Sequence, residues 1–335
     1  MFRPTLKLTA PSALTLAFTL AAGLVGHGAA LAQAQPAVIY DMGGKFDKSF
    51  NQAGYEGAER WKKETGKTYI EFEVSNPAQR EQAQRRMAQR GADPIVGIGF
   101  SQGSSMEKVA KDFPKLKFAV IDAVVKLPNV QSILFKEQEG SFLVGMMAAM
   151  ASKTGKVGFV GGMDIPLIRR FQCGFEQGAK YANPKVETLA NMTGTTPTAW
   201  NDPARGAELA KAQFAAGVDV VFAAAGGTGL GVYQSAKDNK KLAIGVDSNQ
   251  NHLHPGTMLT SMVKRVDVAV YTAFKGVTPG ITNLGLKEGG VDIALDEHNA
   301  KLVTPEMKKR VDAARADIIS GKIKVIDYMV NNTCK

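Results

Sequence analysis

Short apolar runs alternate with amphipathic stretches of helical period from Ala37 onward, and the alternation is run through twice. In the first pass Ala37–Tyr40 reads as a strand. Phe50–Lys63 reads as a helix with Phe50, Ala53, Gly54, Gly57, Ala58 and Trp61 on one face. Tyr69–Val74 is a strand, Asn76-Pro77 opens a charged helix to about Gly91, and Pro94–Phe100 is a strand. Ser104–Phe113 is a helix and Lys117–Asp122 a strand that ends in an acid. The second pass has helices at Gly140–Ser152, Leu167–Tyr181, Pro203–Ala216 and Gly229–Asp238, with strands at Lys156–Val160, Val186–Ala190, Val218–Ala223 and Leu242–Val246. The helix at Pro203 is opened by Asn201-Asp202, a cap residue before Pro at the first helical position. Strands separated by helices pair in parallel, with the helices covering both faces of the sheet. The expected fold class is therefore α/β, with two doubly wound parallel-sheet lobes. Ligands in such sheets lie outside the C-terminal ends of the strands, which for two facing lobes is the cleft between them.

At 335 residues the chain suits two lobes better than one core. A strand at Thr257–Val263 leading into a helix at Val266–Val277 is expected to carry the chain back to the first lobe. Pro305–Ser320 reads as a helix capped by Thr304, and Lys324–Tyr328 as a late strand. The first lobe is expected at residues 36–133 plus 264–285, and the second at 134–263 plus 289–335.

Residues 1–32 read as a secretory signal peptide. Arg3 and Lys7 form a basic head, Leu8–Leu31 is Ala/Leu/Gly-rich without a charged residue, and Ala30-Leu31-Ala32 is a small-x-small cleavage pattern. No Cys lies near the cleavage point, so a lipid-anchored N-terminus is not expected. The formal charge is +10, or +8 once Arg3 and Lys7 are removed. Basic residues such as those of Arg80–Arg90 are scattered over amphipathic stretches, which reads as solvated helix faces and not as a nucleic-acid surface. The two cysteines, Cys173 and Cys334, form no Cys-x-x-Cys pair; in an oxidising compartment they either bridge and tether the C-terminus or stay separate. His252 and His254 form a His-x-His pair without nearby acids or Cys, a weak metal pattern, and neither metal nor cofactor is expected.

The loop after the first strand, Asp41 to Asn51, lies at the cleft rim. Asp47 can accept from ribose hydroxyls or ring N–H groups, Phe50 offers a flat face, and Asn51 can donate and accept. Equally, Asp47 or Ser49 can serve as helix cap and Phe50 as core. Asp122 ends the strand Phe118–Ile121 and Asp247 the strand Leu242–Val246, and in a parallel array both strand ends point to the same cleft. Two such carboxylates can run acid–base chemistry, but no nucleophile or His accompanies them, and hydrogen-bond acceptance from a hydroxylated or N–H-bearing ligand is the simpler use. Gly226-Gly227-Thr228-Gly229-Leu230-Gly231 follows a strand and opens a helix. Its spacing fits neither the dinucleotide fingerprint nor a P-loop, so close backbone approach to a ligand is expected from Gly226. Phe171 and Trp200 border strand ends of the second lobe and can flank a planar ring. Lys264 follows the returning strand and can reach the cleft as a donor.

The runs Phe46–Asn51, Phe135–Gly145, Gly158–Phe175, Ala225–Gly231 and Ile244–Gln250 together resemble the basic membrane protein family, over essentially the whole mature chain. These are substrate-binding components of ABC transporters, purine nucleoside receptors among them. The resemblance implies a type I periplasmic-binding fold with three hinge strands and a purine nucleoside or related base held between two aromatics. By position these are Phe50 and Trp200, where the family more often has Phe at the latter. It also implies that Asp247 holds ribose hydroxyls with Lys264 nearby. Asp47, Asn51 and Asp122 then read the base or fix the loop, and Phe171 and Gly226 complete the wall. Many members are lipoproteins; without the lipid-bearing Cys this chain is expected free in the periplasm, as a monomer delivering its ligand to a permease. The alternatives are a nucleoside hydrolase using Asp122 and Asp247, and a receptor for a membrane signalling partner.

Overall fold

The computed structural model describes residues 1, 2, 5 and 34–334. Apart from residues 1, 2 and 5, the export signal expected at 1–32 lies outside the described residues. In chain order the elements begin with β1 (Ala37–Tyr40), α1 (Phe50–Thr65), β2 (Ile70–Glu73), α2 (Gln79–Gln89), β3 (Ile95–Gly97), α3 (Gly103–Asp112), β4 (Phe118–Ile121) and β5 (Val130–Phe135). There follow α4 (Glu137–Ala151), β6 (Lys156–Met163), α5 (Pro166–Ala182), β7 (Glu187–Gly194), α6 (Pro203–Ala215), β8 (Val220–Ala224), α7 (Gly229–Asp238), β9 (Leu242–Asp247) and β10 (Met258–Lys264). The chain ends with α8 (Val266–Lys275), β11 (Gly280–Leu284), β12 (Val291–Ile293), α9 (Pro305–Ile319) and α10 (Tyr328–Asn331).

The strands form two six-stranded sheets of matching order, β2-β1-β3-β4-β5-β11 and β7-β6-β8-β9-β10-β12. Every pairing is parallel except that of β10 with β12. β1, β4 and β8 are buried at every residue, as their unbroken apolar sequences require of strands covered on both faces. This is the type I periplasmic-binding architecture.

The chain passes between the sheets three times: from β5 to α4, from β10 to α8, and from β11 to β12. The crossings are tied to one another. The Lys136 N–H donates to the Leu284 carbonyl at 3.0 Å and the Arg265 N–H to that of Gly290 at 2.9 Å. The Leu286 N–H donates to Glu139 Oε2 at 2.8 Å.

Local sequence accounts for several elements. Asp202 accepts from the Arg205 N–H at 2.9 Å and Thr304 from the Met307 N–H at 3.1 Å, each just before a Pro that opens its helix. The helix α4 packs against α5 at backbone distance, because a Cβ on Gly178 would stand 1.9 Å from the Phe142 carbonyl oxygen.

Three strands of the structure, β5, β11 and β12, are absent from the sequence reading. β5 (VQSILF) has two polar residues in its middle, yet it is buried; the Ser132 hydroxyl takes the Val125 N–H at 2.9 Å. β11 is a largely exposed edge strand with no apolar run to mark it. The strand expected at Lys324–Tyr328 does not form. The Ile326 N–H and C=O are both taken by the Gln177 side-chain amide, at 2.8 and 3.1 Å, which replaces a neighbouring strand. Arg80 also departs from the solvated-face reading: it is buried and grips Asp41 with two nitrogens at 2.8 and 3.1 Å. Cys173 and Cys334 are joined by a disulfide with their Cα atoms 5.3 Å apart, which fixes the C-terminal segment to α5.

Candidate functional site

The C-terminal ends of β1, β3 and β4 face those of β8, β9 and β10 across a cavity of about 600 Å³, mouth included. All nine candidate residues line it: Asp47, Phe50, Asn51 and Asp122 from the first sheet's side, and Phe171, Trp200, Gly226, Asp247 and Lys264 from the second's.

The β1–α1 loop is built around Asp47. Its carboxylate accepts the N–H groups of Ser49 at 2.8 Å, Asn51 at 3.0 Å and Gln52 at 3.1 Å, so Asp47 caps α1 and lines the cavity at once. Three of about four acceptor positions are thereby used. Asn51 fastens the loop's other end, donating to the Asp41 carbonyl at 3.1 Å and accepting from the Asp41 N–H at 3.2 Å. Burial pushes the Asp47 carboxyl up to about 7, against the three N–H bonds that hold it down.

This has a consequence for stability. An unfolded Asp titrates near 3.9. Between about pH 4 and pH 7 the native state therefore keeps a proton that the unfolded state has lost, and stability falls as pH rises through that window. We expect wild type to lose stability relative to Asp47→Asn by up to about 1.4 kcal/mol per pH unit between pH 4 and 7. Urea unfolding of both proteins across that range checks it; parallel curves contradict it.

Asp122 and Asp247 occupy equivalent places, at the ends of the fourth-placed strands of the two sheets, with φ of +67° and +64°. Asp is among the few side-chain-bearing residues that adopt this left-handed conformation with some frequency, and strain of this kind gathers at ligand sites. Lys264 joins the two halves. Its ammonium is buried, 2.6 Å from Asp122 Oδ2 and 2.9 Å from Glu137 Oε1, and sits 4.9 Å from the Phe50 ring centroid and 5.7 Å from that of Phe171. Burial alone would lower the Lys264 pKa; the Asp122, Glu137 and Asp247 carboxylates outweigh it and hold the ammonium above the ordinary lysine range. Burial lifts Asp122 to about 6 despite Lys264, and raises Asp247 as well. Asp122 Oδ1 is buried and has no hydrogen-bond partner among the described residues.

Trp200 ends a 3-10 turn at Pro197–Trp200 and lies against bare backbone of β6: a Cβ on Gly162 would stand 2.1 Å from its Cζ3. Gly226, at φ +58°, packs its backbone against Trp200: its Cβ position is 3.2 Å from the Trp200 carbonyl oxygen and 4.0 Å from Cε3 of the indole. Of the glycine-rich run only Gly226 lines the cavity; Gly231 serves helix packing, its Cβ position being 1.8 Å from the Pro203 carbonyl oxygen.

Sequence reasoning missed Phe100, which extends beyond β3 into the cavity, and Glu137, the buried acid between Lys264 and Arg170. The strand-end rule applied to β3 points to Phe100; Glu137 opens α4 from a crossing no periodicity marks. His252 is exposed with its ring 6.4 Å from that of His298, and among the described residues no group of three His, Cys, Asp or Glu is placed to hold a metal ion. Among the described residues, too, no helix is long and apolar enough to cross a membrane.

Comparison with known proteins gives a consistent picture. The family model described as "ABC transporter substrate-binding protein PnrA-like", Bmp, matches residues 34–328. The chain is 35% identical over 318 residues to the ABC transporter nucleoside-binding protein BmpA of Lactococcus lactis subsp. cremoris, covering 86% of this chain and 88% of that protein. It is 39% identical over 279 residues to an uncharacterized lipoprotein of Pyrococcus furiosus, covering 76% and 68%. Among solved structures, a solute-binding protein of an ABC transporter system from Aeropyrum pernix K1 superposes with a TM-score of 0.81 at 32% identity, over 90% of this chain and 95% of that one.

Proposed function

Because the chain belongs to the Bmp family of PnrA-like ABC transporter substrate-binding proteins, we propose that it captures a purine nucleoside or a related base between its lobes and hands it to the permease of an ABC importer. The observation that carries the choice of ligand is Asp122 Oδ1, a buried carboxylate oxygen with no partner among the described residues, on a residue that lines the cavity together with Phe50 and Trp200. A buried acceptor left unpaired costs about 1–3 kcal/mol, so a ligand N–H that meets it gains that much discrimination over one that does not. Phe50 and Trp200 supply ring faces on the two sides, and Asp247 an acceptor for hydroxyls. The name of the Lactococcus lactis relative, a nucleoside-binding protein, supports the same class.

On this reading the site binds without turning over. Asp122 is held by Lys264 at 2.6 Å and Asp247 by Ser49 at 2.6 Å, which fixes both as acceptors. The lobes, 36–135 plus 265–284 and 137–264 plus 290–335 by the strands that each sheet holds, close about the three crossings, and the closed monomer docks on the permease. The mature chain acts in the periplasm, exported by the leader read at 1–32.

A thermal-shift panel of purine and pyrimidine nucleosides, free bases, sugars and amines tests the ligand class. Ligand bound only to the native state raises its apparent stability by about 2.7 kcal/mol at a hundredfold excess over Kd. Stabilisation by purine compounds alone is expected; stabilisation by a sugar or an amine with none by any purine overturns the reading.

A further inference from the structure

Ser49 is the residue before α1 and stands where a serine hydroxyl ordinarily caps a helix, yet its side chain makes no such bond. Asp47 has taken over that work, receiving the Ser49, Asn51 and Gln52 N–H groups. The freed Ser49 hydroxyl is fully buried and crosses the cleft: it donates to Asp247 Oδ2 at 2.6 Å, with the Val246 carbonyl at 3.4 Å. The second lobe returns the contact. Ser248 Oγ donates to the Ser49 carbonyl at 3.0 Å, and Gln250 Nε2 to the Lys48 carbonyl at 2.9 Å. Gln250 is itself fixed, accepting from the Val246 N–H and the Tyr233 hydroxyl, both at 2.8 Å. Lys48 holds φ at +61°, a conformation uncommon for a lysine, in the segment that meets these partners.

We propose that Ser49 is a positioning residue for ligand recognition: supplied by the first lobe, its hydroxyl orients the Asp247 carboxylate of the second, so that the acceptor for a ligand's hydroxyl groups is completed only when the cleft is closed. This rests on the reading of the cleft as a nucleoside site. One Asp247 oxygen is committed to Ser49, which leaves the other to the ligand. A carboxylate on a left-handed backbone, with no second bond from its own lobe, takes its orientation from across the cleft. Closure and hydroxyl recognition then become a single event: a ligand without the hydroxyls gains less from closing the lobes.

The test titrates wild type, Ser49→Ala, Asp247→Asn and the double variant with adenosine, guanosine and inosine, each beside its 2′,3′-dideoxy analogue, by calorimetry. Wild type should prefer a nucleoside over its dideoxy analogue. Ser49→Ala should weaken the nucleoside about 10- to 100-fold, the worth of one hydrogen bond to a charged group, and largely erase that preference. Adding Ser49→Ala to Asp247→Asn should cost little more, since the two then remove one interaction. Equal weakening of nucleoside and dideoxy analogue, or additive losses in the double variant, overturns the positioning role. If wild type binds none of the three nucleosides, the underlying nucleoside reading fails instead, which is seen before any variant is used.

Discussion

Replacing Lys264 with methionine should destabilise the protein by about 3–5 kcal/mol at pH 8, the cost of breaking a buried ion pair from one side. The ammonium is 2% exposed and neutralises Asp122 and Glu137 at once, at 2.6 and 2.9 Å. Methionine keeps most of the apolar stem, whereas the approaches of the ammonium to the Phe50 and Phe135 ring centroids, 4.9 and 5.0 Å, are lost with the charge. Arg170 still pairs with Glu137 Oε2 at 2.9 Å, so Asp122 is the acid left without a cation. Asp122, already raised to about 6 by burial with Lys264 present, rises further without it, and the unfolded state gives up that proton first as pH increases. The deficit of the variant should therefore be small near pH 5 and grow towards pH 8. Urea unfolding of both proteins at the two pH values measures it; a deficit that is equal at both, or absent, contradicts the role given to Lys264.

Trp200→Ala should carry the largest loss of affinity for a purine nucleoside. Truncating an aromatic anchor at the centre of a binding site costs about 2–4 kcal/mol, or roughly 30- to 1000-fold in Kd. Trp200→Phe should keep most of the affinity, because it restores a stacking face. The ring's position depends on Gly162, whose Cβ would stand 2.1 Å from Trp200 Cζ3. Gly162→Ala should therefore displace the indole and weaken binding although residue 162 is not among those lining the cavity. Calorimetric titration of the three variants with the nucleoside that wild type binds best checks the order Phe, then Gly162→Ala, then Ala. A Trp200→Ala variant that binds as wild type does would remove Trp200 from the site.

Much of this arrangement is legible before any coordinates. The doubled βα alternation specifies two parallel sheets, and the rule that ligands sit beyond strand ends singles out Asp122 and Asp247. Asp202 and Thr304 announce their helices because capping is local chemistry. What escapes is decided at long range. β5 interrupts its apolar run with Gln131 and Ser132; the partner of Gln131, Thr282, is 151 residues away, while Ser132 takes the N–H of Val125 in the loop just before the strand. Arg80 looks like one more charge on a solvated helix, and only the fold brings it to Asp41, 39 residues away in sequence. Lys324–Tyr328 has the composition of a strand, but the Gln177 amide satisfies its backbone. Asp47 and Ser49 read equally as helix caps, and only the hydrogen bonds give the cap to Asp47 and the Ser49 hydroxyl to Asp247.

On the proposed reading this cleft holds one purine nucleoside and returns it unchanged. Isothermal titration of the mature protein with adenosine, guanosine and inosine, followed by chromatography of the released ligand, tests it most directly. Saturable 1:1 binding of at least one of the three is expected, with the intact nucleoside recovered after denaturation. No binding of any of them, or recovery of free base and ribose in their place, would contradict it.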